Sequence, residues 1–213
     1  MENDNVVVGN IKSINKNGNI LINSGSIFSE AFYFQDYYDD ALIKKFIKNT
    51  ERLVRQSHEY NQYLAMIKEN YNILNYDNIL SHINSDDAEI EIHHYPFSLY
   101  DIVDILMNYH LFNKDNFTSF SIAQEVMNLH FAQKIGFVPL SKTNHELAHA
   151  GQLFISTKQI FGNWEEFATK FASGMSEEQR AKVEESKKMT EQHAASDFKN
   201  LYTKQEPTQD GEQ

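Results

Sequence analysis

Two pairs of histidines stand where metal chemistry could use them. His93 and His94 are adjacent, and His145 and His149 are four residues apart with Glu146 between them. Four residues make about one helical turn, so both imidazoles leave one face of a helix and can share an ion. Adjacent residues of a regular strand point to opposite sides, so His93 and His94 are expected where a strand ends, and Pro96 supplies such an ending. Three imidazoles could then hold one divalent ion while the fourth takes a proton from water. A neutral imidazole near its unperturbed pKa suits that task. Imidazoles accept several first-row ions, so Mg, Mn, Ni and Zn all stay open.

The surrounding chain supplies elements to carry these groups. Ser85-Asp86-Asp87 reads as a turn, and Ala88 to His94 as a short strand. Helical periodicity follows near 98–111 and 119–135, where Gly136 suits a C-terminal cap. Phe137 to Leu140 forms a second strand, and Ser141 or Thr143 can cap a helix carrying His145 and His149. Upstream, Val6 to Val8 and Ile20 to Ile22 read as the strands of a hairpin around Asn17-Gly18. From about Asp40 the period is helical, and Lys44, Lys48, Arg52 and Arg55 fall on one stripe if Asn49-Thr50 does not break the helix. Past Gly162, Asn163 caps a short helix and Trp164 anchors the C-terminal region. Ser176-Glu177-Glu178-Gln179 opens a mostly polar helix to about Ala195.

The fold class read from this order is α+β. An N-terminal β-hairpin region (1–35) precedes a helical segment (36–84). A β-β-α unit with a helical insertion (85–160) follows, then peripheral C-terminal helices (161–200) and a disordered tail (201–213). His110 and His130 fall in the insertion helices and read as structural.

In these residues the chain resembles the HNH, or ββα-metal, endonuclease family. The match rests on Glu91-Ile92-His93-His94 with Pro96 behind, then on Gly136 through His149. The resemblance implies that His93, His145 and His149 would be ligands of a single divalent metal and His94 the catalytic general base. The activity it implies is phosphodiester hydrolysis in DNA, more than in RNA. Glu91, on the strand face of His93, would orient that ring. Lys44, Lys48, Arg52 and Arg55 would touch phosphates. Two features depart from the family. Gly136 stands at the family's asparagine position, and Ser141 and Asn144 replace two cysteines.

Two further readings stay open. One is a non-catalytic HNH-like protein that binds nucleic acid or, through the C-terminal helix, a protein partner. The other is a zinc peptidase, since His145-Glu146-Leu147-Ala148-His149 spells HExxH, with Glu146 as base and Glu165 or Glu166 as third ligand.

Composition narrows the classes. Cys is 0, so disulfides and thiolate metal sites are excluded. A net charge of −11 argues against broad, nonspecific coating of nucleic acid. No apolar run is long enough to span a membrane. The polar, acidic start shows no secretory signal, so a cytoplasmic protein is expected. Plentiful Asn, Ile, Lys and Tyr with scarce Arg hint at an AT-rich genome. HNH-like proteins are common in bacteriophages, which makes a phage, and hence host cytoplasm, the expected source.

Overall fold

The computed structural model describes the backbone of residues 6–8, 11–14, 20–22 and 194–203, and residues 39–69 and 73–193 in full. It is an α+β fold.

At the N-terminus three short strands, β1 (Val6–Val8), β2 (Ile11–Ile14) and β3 (Ile20–Ile22), pair antiparallel in the order β1-β2-β3. The expected hairpin therefore has a different partner. Ile20–Ile22 pairs with Ile11–Ile14, which stands between it and Val6–Val8. Ile11-Lys12-Ser13-Ile14 lacks the two-residue alternation that marks a half-buried strand in a sequence, so its pairing is seen only in the structure. The Asn17-Gly18 turn lies outside the described residues.

Helix α1 (Asp40–Gln56) starts at Asp39, whose carboxylate accepts from the amides of Ala41 and Leu42. It runs unbroken through Asn49-Thr50 because Thr50 is buried and donates its hydroxyl to the Phe46 carbonyl. Phe46, Ile47 and Val54 form its core face, so Lys44, Lys48, Arg52 and Arg55 are all exposed. Ser57 ends α1, and its hydroxyl accepts from the Tyr60 amide to open α2 (His58–Glu69).

Strand β4 (Ile90–His94) pairs antiparallel with β5 (Phe137–Ser141), and α5 (Lys142–His149) follows at once. Between the strands lie α3 (Leu99–Asn113) and α4 (Ser119–Phe131), each opened by a capping box, at Ser98 and Thr118. The β-β-α order with a helical insertion is thus present. The main core is built from α1, α3 and α4, with α2 and α6 (Trp164–Lys170) against them. Ile102, Leu106, Met107, Ile122 and Val126 are almost fully buried within it.

Gly136 does not cap α4. That helix ends near Ala132, and Gln133, with φ +55°, takes the left-handed position. Gly136 instead lies where the chain enters β5. A Cβ there would meet the Tyr95 carbonyl oxygen at 2.4 Å and Trp164 Cβ at 2.8 Å.

Helix α7 (Glu177–Thr203) is longer than expected and carries regular backbone past Ala195 into the segment read as tail; residues 204–213 lie outside the described set. Among its described side chains the buried stripe is Gln179, Val183, Ser186 and Thr190, three of them polar. Hydrogen bonds do the docking: Gln179 donates to Asp104, and the Thr157 amide donates to Thr190. Each such bond contributes about 0.5–1.5 kcal/mol net. Lys187 lies 5.4 Å from the Trp164 ring centre, so the tryptophan does meet the C-terminal helix.

His110, on the last turn of α3, places Nδ1 2.9 Å from Asp115 and Nε2 2.7 Å from Glu125, joining α3 to α4. Burial pulls its pKa down, but the hydrogen bonds to Glu125 and Asp115 outweigh burial and hold it above 6.5. A folded-state pKa raised above the unfolded one gives stability that is full below the unfolded value and lost as pH rises through the folded value. The stability advantage of the wild type over His110→Gln, measured by urea unfolding, should therefore be largest near about pH 6 and shrink at about pH 8–9. A pH-independent difference would show that the imidazolium does not form.

Candidate metal centre

The pleat of β4 separates the adjacent histidines. Cross-strand partners share a sheet face. His94 stands opposite Phe137, and His93 opposite Val138. Phe137 belongs to the main core, whereas Val138 and Leu140 belong to a small second cluster with Ile155. The strand stays paired through His94, so the two rings point apart.

His93 faces α5. Its ring meets those of His145 and His149 edge-on, with centroids 5.2 and 4.9 Å away. The three residues offer ring nitrogens that all lie within 4.8 Å of one another. Nδ1 of His93 is buried with no hydrogen-bond partner among the described residues. Nε2 of His149 lies 3.0 Å from Nε2 of His145. That spacing is close to the edge of a tetrahedron with Zn–N bonds of about 2.0–2.1 Å. His145 Nδ1 meets the Glu91 carboxylate, which accepts its proton and leaves Nε2 with a lone pair facing the cluster. Glu91 thus orients His145, not His93 as expected.

His93 and His149 are both shifted toward the neutral imidazole, the form that can act as a ligand. Burial, then the neighbouring His145 and His149 and finally Lys182, lower the His93 pKa to about 4. His149 is also shifted down, by burial and then by His145 and Arg55, against a rise from Glu91.

His94 has a different setting. It is almost fully buried on the core side, its Nε2 3.0 Å from Nε2 of His130. His130 donates Nδ1–H to the Val126 carbonyl, so its Nε2 must accept from His94. Tyr63 packs edge-on against His130 at 5.0 Å. Burial pushes His94 well below its ordinary pKa, and His130 to about 4. The expected base at the ion is therefore on the wrong face: the paired strand carries His94 into the core.

Among the other candidates, Glu146 is exposed beside His145. Glu166 is paired with Lys134 and Asn163, and Glu165 lies 3.5 Å from Lys187. Neither joins the histidine cluster, where His93 takes the third position. Arg55 pairs with Glu51 at 2.9 Å and is close enough to lower the pKa of His149. Lys44, Lys48 and Arg52 line the same exposed side of α1.

One positioning residue was not legible. Asp77 is fully buried and accepts from the amides of Ser141, Ile79 and Leu80 and from Nδ2 of Asn144. It thereby holds the start of α5, while the Ser141 side chain makes no cap. The sequence signal was a turn-forming Tyr76-Asp77-Asn78, which says nothing of a partner so far along the chain.

The family model of the Bacteriophage G278-like virion protein matches residues 1–209. The chain belongs to this family. No curated protein and no solved structure matches it. Membership agrees with the expected phage origin; it lends no support to the HNH resemblance. No described helix is long and apolar enough to cross a membrane.

Two substitutions probe this geometry. Asp77→Ala strands the Ser141 amide and Asn144 and should cost about 1.5–3 kcal/mol in chemical denaturation. Gly136→Asn, which would restore the HNH-type residue, should cost about 1–3 kcal/mol by overpacking against Tyr95 and Trp164. Wild-type stability in either variant would contradict the contacts described.

Proposed function

We propose that this chain is a non-catalytic structural component of the phage particle whose β4–β5–α5 unit holds one divalent metal ion at His93, His145 and His149. The observation that carries the non-catalytic reading is His94: the general base an HNH nuclease requires lies across the sheet, in contact with His130. Membership in a family described as virion proteins supports the structural reading.

A physical need for the ion supports it. Helix α5 has eight residues, too few to be stable alone. The apolar cluster beneath it is small. An ion bound by β4 and by both ends of the histidine turn would fasten the helix to the sheet, and its binding energy would count as folding energy. Three imidazoles favour a late first-row ion such as Zn²⁺ or Ni²⁺ over Mg²⁺.

A second reading, metal-dependent hydrolysis, is favoured by one feature: three protein ligands with one ring exposed is also the donor set of a catalytic zinc. In that case Glu146 is the group to test. For nucleic acid, the surface to test is the Lys44, Lys48 and Arg52 stripe, whose replacement by glutamates would reduce DNA retention and its salt dependence.

Titration calorimetry of EDTA-treated protein should find one Zn²⁺ per chain. At about 100 times Kd, zinc should add about 2.7 kcal/mol of stability, a rise in Tm of about 5–10 °C. His149→Ala should abolish both effects, and Glu91→Gln should weaken binding about 10–100-fold. Plasmid and single-stranded DNA should remain intact with Mg²⁺, Mn²⁺, Ni²⁺ or Zn²⁺. Metal-dependent cleavage that is lost in Glu146→Gln or His149→Ala would establish the hydrolase instead.

A further inference from the structure

Helix α7 is joined to the histidine cluster by a hydrogen bond between Tyr95 and Ser186. Tyr95 follows His93 by two residues and lies on the same side, its ring stacked on His93 at 6.3 Å and 26°. Its hydroxyl donates to Ser186 Oγ at 2.7 Å. Ser186 in turn donates to the Lys182 carbonyl at 2.8 Å, so its hydroxyl proton is already committed and the direction of the Tyr95 bond is fixed. The same helix brings Lys182 near enough for His93 to feel its charge.

The rest of the docked stripe is held mainly by polar contacts. Val183 is its one apolar member, beside Gln179 and Thr190 with their hydrogen bonds to Asp104 and Thr157. A helix docked mainly by polar contacts belongs to the part of a fold that opens at low free energy. The His93 ring contacts His145, His149 and Tyr95, so it cannot reorient without disturbing both the ligand cluster and Tyr95.

We propose that α7 is a strap whose docking is coupled to ion binding at the histidine cluster, with Tyr95 the positioning residue between them. The inference rests on the metal reading above. Binding of the ion fixes the His93 ring, the fixed ring holds Tyr95, and Tyr95 holds Ser186. The coupling is reciprocal, so a docked α7 also favours the ion. A metal-loaded chain would then present a closed C-terminal helix, and a metal-free chain one free to engage a neighbour.

Hydrogen exchange of the full chain, with zinc chloride and with EDTA, tests this directly. Zinc should slow amide exchange across residues 183–190 at least about 5-fold in the wild type. In Tyr95→Phe, zinc should still bind through the three histidines while the slowing is lost; Ser186→Ala serves the same comparison if Tyr95→Phe fails to fold. Trp164 gives a second readout. It is the single tryptophan, and Lys187 of α7 lies over its ring, so its emission should shift with zinc in the wild type alone. Zinc binding with no change in α7 exchange or in emission would overturn the strap and leave the metal site standing. Zinc-dependent slowing that persists in both variants would overturn the role of Tyr95. Failure of the wild type to bind zinc at all would overturn the metal reading and the strap together.

Discussion

The two-residue period of one short strand decides what every candidate group can do. Because β4 stays in register with β5 from Ile90 to His94, each of its side chains has an assigned side. Glu91 and His93 go to α5, and Ile92 and His94 go the other way. A slip of one residue would exchange the sets, moving the Glu91 carboxylate and the His93 imidazole into the apolar core. That would leave a charged group buried without a partner, so the register is strongly enforced. Two adjacent histidines thus serve two unrelated settings, a polar cluster beneath a short helix and a neutral contact with His130 inside the helical core.

The face that carries the cluster is poor in apolar contacts and rich in directional ones. Val138, Leu140 and Ile155 supply its only fully buried cluster among the described residues. Asp77 compensates at one end of α5 by collecting four donors. Burial alone would raise its pKa, yet the bonds from Ser141, Leu80 and Ile79 hold it below its ordinary value, and it remains an anion. The other end of α5 is held by imidazoles and by Glu91. A short helix fixed by charge-assisted bonds at both ends is geometrically well defined while burying little surface.

Much of the element order was legible because hydrophobic period changes along the chain. The strand–helix–helix–strand–helix run from Ile90 to His149 follows from alternation giving way to helical spacing and back. Spacing and order made it readable that one of the two adjacent histidines would meet His145 and His149; the choice of His93 came only from the HNH resemblance. The side taken by His94 was not legible. It depends on whether pairing continues to the last residue of β4, and that is set by Phe137, far along the chain. Gly136 shows the same limit: its residue type signalled a special backbone position, but the reason is the Tyr95 carbonyl and Trp164 pressing on it. Nothing local to Asp77 or Tyr95 pointed to their partners Asn144 and Ser186, which come from distant segments. In the N-terminal sheet, Ile11–Ile14 lacks the two-residue alternation of a strand, and only its pairing with Ile20–Ile22 identifies it.

The histidine cluster also says something about the order in which the chain assembles. Only His145 and His149 are neighbours along the sequence; His93 reaches them after the whole α3–α4 excursion has closed and β4 has found β5. Contacts of such long range form late, since chain closure costs entropy before they can repay it. A nascent or partly folded chain therefore offers a divalent ion no more than two imidazoles, and three converge only once the central fold is complete.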